Sequence, residues 1–178
     1  MNRNHKGRAL VFAVALLGWA GSVLAHEDEH TAGNHLIAFL GHFHPVVVHF
    51  PVALTLTAAL AEILFLALRR DIFRDTARVL VILAGLAALV AVPFGWMAES
   101  SQEFTGAYVG VVERHEALGI STLVMVAAAA VLSELGRRWS NPRLILGFRI
   151  ALFMAAALVT ATGFFGGELV HGIGHYSW

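Results

Sequence analysis

The chain has 178 residues, no cysteine and a formal net charge of zero, from 12 basic and 12 acidic residues. Its hydrophobic fraction of 58% and mean hydropathy of +0.72 exceed what a soluble domain of this length could bury, which favours a membrane protein. The balanced charge argues against nucleic acid as a partner, and the lack of thiols excludes disulfides, cysteine-ligated clusters and covalently attached c-type haem.

The first 25 residues have the features of a secretory signal peptide. Arg3, Lys6 and Arg8 precede the apolar stretch ALVFAVALLGWAGS, and VLA offers small residues at a cleavage position. We therefore predict a signal peptide at 1–25 and an extracytoplasmic, acidic, histidine-containing tail at 26–43. An uncleaved anchor helix is the alternative, and it also places the tail outside the cytoplasm.

Four apolar runs follow within the predicted domain 44–178. Each is long enough for a helix that crosses about 30 Å of hydrocarbon, and none shows the alternation of a strand. The predicted spans are 46–68, 77–98, 115–135 and 144–169. Because the connections are short, we predict an all-α fold: an integral membrane four-helix up-down bundle preceded by a signal peptide.

Arginine indicates the orientation of the bundle. The loops after the first and third spans are rich in arginine, whereas the loop after the second has several glutamates and one arginine. The positive-inside rule then places the arginine loops in the cytoplasm. The sequence thus predicts a multi-pass protein of the bacterial inner membrane, surrounded by lipid, with both mature termini extracytoplasmic.

Histidines gather at the other end of the predicted helices. His49, Glu99, His115 and His171 each lie 20 to 22 residues from an arginine of their own span. At 1.5 Å per residue these distances are all about 30–33 Å, so one such group from each span reaches the same outer level. Neutral imidazole is a common ligand of metals and haem iron, although polar residues also collect at helix ends without binding anything.

We expect a site at this outer mouth. The glycines of GFFGGELV let a flat ligand or another helix approach the backbone, and an arginine beside His115 pairs with a haem propionate or marks the interface. The candidate cofactor-binding residues are His49, His115, His171, His44, Arg114, Gly166 and Gly167. The candidate metal ligands are His49, His115, His171, His44 and Glu99. Deeper in the spans, Glu62 and Arg149 either pair across neighbouring helices or Arg149 extends towards the interface.

The stretches HPVVVHFPVAL, HEALG and GGELVHGIG resemble a family of uncharacterised four-helix bacterial membrane proteins, over about residues 44–174. Members of that family resemble, or are fused to, redox modules such as cytochrome c or Rieske-type domains. The resemblance implies an electron-transfer setting. His44, His49, His115 and the glycines of GGELV match the family's motifs, so the resemblance implies a role for them. His171 departs from the family's pattern.

The leading functional hypothesis is a b-type haem protein that transfers electrons near the outer face. His49 and His115, on diagonal spans, would bind iron from both sides, and a redox protein or a quinone would be the partner. Two alternatives stay open: binding or transport of copper or zinc, and a non-catalytic subunit of a redox complex. The sequence lacks hydrolase and nucleotide-binding motifs, and it leaves enzymatic activity and homo-oligomer formation undecided.

Overall fold

The structure is a computed structural model that describes residues 32–177. The predicted signal peptide and the tail histidines His26 and His30 lie outside the described residues. Contacts divide the chain into two units, Met1–Leu36 and Ile37–Trp178, and the second contains the bundle.

The described residues form helices and connecting turns, with no strand among them, which confirms the predicted all-α fold. In chain order the helices are α1 (Ala32–Gly41), α2 (His44–Val47), α3 (His49–Leu68), α4 (Asp71–Glu99), α5 (Ala107–Trp139) and α6 (Pro142–His171). Four helical segments are long and apolar enough to cross a membrane: His35–Leu68, Asp71–Glu99, Ala107–Trp139 and Pro142–His171. Each predicted span lies inside one of them.

The segment that we predicted as a tail is partly helical. Its residues from Ala32 to Gly41 form α1, and two turn residues separate α1 from α2. Gly41 is buried against α4, and a Cβ added there would lie 2.7 Å from the main chain of Ala98. Glycine is therefore required for this close contact.

Small residues fill the centre of the bundle. Helices α3 to α6 each pack on their neighbours in sequence, and α3 also packs on α6, which closes the up-down ring. One alanine at the centre of each helix is fully buried, and this allows close helix contact: Ala58, Ala84, Ala129 and Ala155. Large apolar side chains on the outer faces are about half exposed, as lipid contact requires, for example Leu60, Leu86, Val124 and Ile150.

The bundle is an internal repeat of two helical hairpins, residues 44–99 and residues 115–170, at a constant offset of 71 residues. The turn inside each hairpin has the same geometry. Arg69 ends α3 with φ 54°, and Ser140 ends α5 with φ 47°. The residue after each is extended and precedes the next helix. The central alanines also correspond, because Ala58 and Ala129, like Ala84 and Ala155, are 71 residues apart. The two hairpins can therefore be compared position by position at this offset.

One ion pair joins the first and last long helices. Arg149 Nε donates a hydrogen bond of 2.7 Å to Glu62 Oε1. The Glu62 side chain is 1% exposed, so the guanidinium compensates a carboxylate that has lost its water. Of the two arrangements left open by the sequence, the structure has the pair across neighbouring helices.

Candidate functional site

Two imidazoles meet at the end of the bundle opposite the arginine-rich turns. We call this the histidine end, and the end that contains Arg69 and Arg137 the arginine end. The rings of His44 and His115 have centroids 6.2 Å apart and planes 87° apart. Both side chains are partly buried. They start from equivalent positions of the two hairpins, 71 residues apart.

His44 is held by the short helix α2 and by α4. Pro45 lies in the first turn of α2, where its missing N–H leaves no acceptor unpaired, and α2 packs on α4. The Nδ1 atom of His44 donates to the carbonyl of Ala91 at 3.1 Å. One turn further along α4, a Cβ on Gly95 would lie 3.0 Å from Cε1 of the ring. The glycine thus leaves the space in which the imidazole lies.

His115 repeats this arrangement in the second hairpin. Its Nδ1 atom donates to the carbonyl of Thr162 at 3.0 Å, and a Cβ on Gly166 would lie 3.0 Å from its Cε1 atom. Each histidine precedes its carbonyl partner by 47 residues. The two imidazoles are therefore oriented by the same pair of contacts, a main-chain acceptor and a glycine one turn beyond it.

These hydrogen bonds determine which ring nitrogen is free. A main-chain carbonyl only accepts, so Nδ1 carries the proton and Nε2 of the neutral ring keeps its lone pair. An imidazole that donates its other N–H to a carbonyl is the usual state of a metal-ligating histidine. Among residues 32–177, no three His, Cys, Asp or Glu side chains lie close enough to hold one metal ion. In both imidazoles of the pair, Nδ1 is bonded to a carbonyl, so Nε2 is the ring nitrogen that could bind a ligand.

An open cleft of about 550 Å³ lies at the same end of the bundle, between α4 and α5. Its lining is mixed, with aromatic, aliphatic and acidic side chains, and includes Trp96, Glu99, Phe104, Val109, Val112 and Glu113. Trp96 follows Gly95 in sequence, and its Nε1 atom donates to Glu116 Oε1 at 2.7 Å, which joins α4 to α5. The cleft is within the range of about 300–1,000 Å³ that is common for small-molecule sites.

The other predicted site residues surround the pair without joining it. His49 and His171 are exposed, and the His171 ring lies 5.0 Å from that of His175. Arg114 is exposed, with its guanidinium 5.9 Å from the centre of the Phe165 ring.

The predicted glycines are in contact with side chains of the chain itself. Gly166 faces His115, and the space beside Gly167 is occupied by Tyr176. Sequence reasoning missed Gly95 and the two carbonyl partners. The signal that could have found them is the dipeptide Phe-Gly at 94–95 and 165–166, which follows His44 and His115 at the same distance.

Comparisons with curated proteins and with solved structures found no match. A family described as "Predicted membrane protein (DUF2231)" matches residues 41–176, which include both hairpins and both imidazoles of the pair. The chain belongs to this family of membrane proteins.

Proposed function

We propose that the protein binds a b-type haem at the histidine end and transfers electrons near the extracytoplasmic face of the bacterial inner membrane. His44 and His115 would be the two axial ligands. The observation that carries the proposal is the pairing of these two imidazoles, each with Nδ1 hydrogen-bonded to a main-chain carbonyl. Noncovalent haem needs axial donors and an apolar slot but no cysteine, and this chain has none.

The spacing of the rings is compatible with one iron between them. An imidazole nitrogen binds a metal at about 2.0–2.1 Å, so two rings on opposite sides of one metal have their bonded nitrogens about 4 Å apart. Ring centroids 6.2 Å apart allow this separation, because a nitrogen at the edge of a ring can lie nearer to the partner than the centroid does.

The surroundings of the pair fit such a cofactor in two respects. The cleft at the same end of the bundle has apolar and aromatic side chains in its lining, including Trp96, Phe104 and Val112. Arg114 is exposed one residue before His115, where it would bind a propionate. When bound, haem would supply reversible one-electron chemistry, while the two carbonyls hold the imidazoles in a fixed orientation.

The partner would be a redox protein or a quinone that reaches the histidine end from the extracytoplasmic side. This orientation rests on the arginine turns, which contain Arg69, Arg70, Arg137 and Arg138. The open cleft beside Trp96 and Glu99 would admit a small electron carrier at this end of the bundle.

The test is the visible spectrum of the purified protein, recorded oxidised and reduced, with haem content per chain. We expect low-spin haem bands in the wild type and their loss in His44→Ala and His115→Ala. The matched control is His49→Ala, an exposed histidine of the same stretch, which should keep the spectrum. If the wild-type protein is colourless and contains stoichiometric copper or zinc, the haem proposal is wrong and the metal-binding alternative is favoured. A colourless, metal-free protein would leave a non-catalytic subunit as the remaining alternative.

A further inference from the structure

The described part of the bundle buries five polar or charged side chains. Glu168 accepts a hydrogen bond from the Gly174 amide at the histidine end. The other four are on α3 and α5, between the two ends of the bundle: Thr55, Glu62, Thr122 and Ser133. Burying a polar group inside a membrane bundle costs free energy unless the group is hydrogen-bonded. Ionisable residues that do occur there often belong to ion or proton paths.

The repeat gives the depth of each group below the histidine pair. Thr122 lies seven residues beyond His115, or about 10 Å. Thr55 lies eleven residues beyond His44, or about 16 Å. Glu62 occupies the position equivalent to Ser133, at about 27 Å. Along the bundle axis the groups therefore follow one another in steps of about 6–11 Å from the histidine end to the arginine end.

Two side-chain oxygen atoms of these groups lack a protein hydrogen-bond partner. Thr55 Oγ1 and Glu62 Oε2 are buried without a hydrogen bond, and their side chains are 0% and 1% exposed. Thr57 and Thr162 each donate to the carbonyl four residues back, but Thr55 does not. Thr55 and Glu62 are seven residues apart and so lie on one face of α3. Buried water is the usual partner of such polar atoms in proteins.

These groups reach a cleft at the arginine end and a partly exposed imidazole at the histidine end. At the arginine end, a cleft of about 510 Å³ is lined by Glu62 and Ser133, with charged neighbours from α4, α5 and α6: Arg74, Asp75, Arg78, Arg137 and Arg149. At the histidine end, the hydroxyls of Thr122 and Thr162 are 3.3 Å apart, and the Thr162 carbonyl holds His115, which is partly exposed.

We propose that these side chains and internal water form a proton path between the arginine-end cleft and the histidine pair. Protons hop through internal water from Glu62 to Thr55 and then to the hydroxyls of Thr122 and Thr162. Because the Thr162 carbonyl only accepts, water rather than that carbonyl carries the proton on to Nε2 of His115. A hydrated metal cation would have to pass the Arg149 guanidinium, whereas a proton needs only a continuous chain of donors and acceptors. This proton path is a separate proposal from haem binding, because it does not require a bound iron.

The test is proton flux through the purified full-length protein in liposomes that contain a trapped pH dye, driven by a potassium gradient with valinomycin. We expect acidification well above that of protein-free liposomes. Thr55→Val keeps the size of the side chain but removes the hydroxyl that binds water, so the rate should fall by about tenfold or more. Glu62→Gln should lower it as well.

Thr57→Val is the matched control, since Thr57 is exposed and bonds its own helix, and it should leave the flux unchanged. Glu62→Gln removes the charged partner of Arg149 and can therefore affect folding. Thr55→Val leaves that ion pair intact, so its flux is the decisive test of the proton path. A wild-type flux equal to that of empty liposomes, or equal rates for wild type and Thr55→Val, would overturn the path. Neither result affects the haem spectrum, so the two proposals fail independently.

Discussion

Removing Arg149 should destabilise the protein far more than removing an arginine at the arginine end. Arg149→Met leaves the Glu62 carboxylate, 1% exposed, without its cation. Breaking a buried pair in this way costs about 3–5 kcal/mol. Because Arg149 is 28% exposed in a water-accessible cleft, we expect the loss in the free energy of unfolding to be near the lower end of this range. A loss of about 3 kcal/mol lowers the folding equilibrium constant by about a hundredfold.

The assay is reversible unfolding in mixed detergent micelles by increasing dodecyl sulfate, followed by helical circular dichroism. Arg137→Met is the matched control, because Arg137 pairs with Glu134 while both side chains are well exposed. An exposed pair of this kind contributes about 0–1 kcal/mol. The double variant Glu62→Leu with Arg149→Met removes both charges and should recover most of the lost stability. If Arg149→Met costs no more than Arg137→Met, the ion pair does not join the helices as described.

Two further substitutions test contacts at the histidine end. Gly166→Ala places a Cβ 3.0 Å from Cε1 of His115 and displaces the ring, so haem content should fall, whereas Gly163→Ala, with nothing within 4 Å, should leave it unchanged. Equal haem content in the two variants would show that the ring does not depend on this glycine. Trp96→Phe removes the hydrogen bond to Glu116 and should lower the free energy of unfolding by about 0.5–1.5 kcal/mol in the same micelle assay, and no change would mean that the bond does not join α4 to α5.

The helices and the collection of histidines at one end were predictable from the sequence. Hydropathy and length identify each span, because a membrane requires about 20 apolar residues whatever the helix packs against. Counting from the arginines gave the depth of the histidines, because the rise per residue in a helix is constant. The pairing of Glu62 with Arg149 was also foreseen as one of two arrangements, since two opposite charges at a similar depth can meet across neighbouring helices.

The partner of His115 was not predictable in the same way. We expected His49, but His44 is the residue that meets His115 in the structure. Depth along a helix says nothing about direction around its axis, and α2 is separated from α3 at Val48. The direction of His44 depends on the Ala91 carbonyl and on Gly95, both on another helix. Such a contact becomes visible in the sequence only through the repeat, which presents the same set of residues twice.

The most direct test of the central claim, that His44 and His115 bind one haem iron, is low-temperature electron paramagnetic resonance of the oxidised, purified protein. Two axial imidazoles make ferric haem low-spin, and ring planes 87° apart predict a strongly anisotropic signal rather than the rhombic signal of parallel rings. We expect that signal in the wild type and in His49→Ala, and its loss in His44→Ala and in His115→Ala. A wild-type protein without a low-spin signal, or a signal that survives unchanged in His44→Ala, would contradict the account.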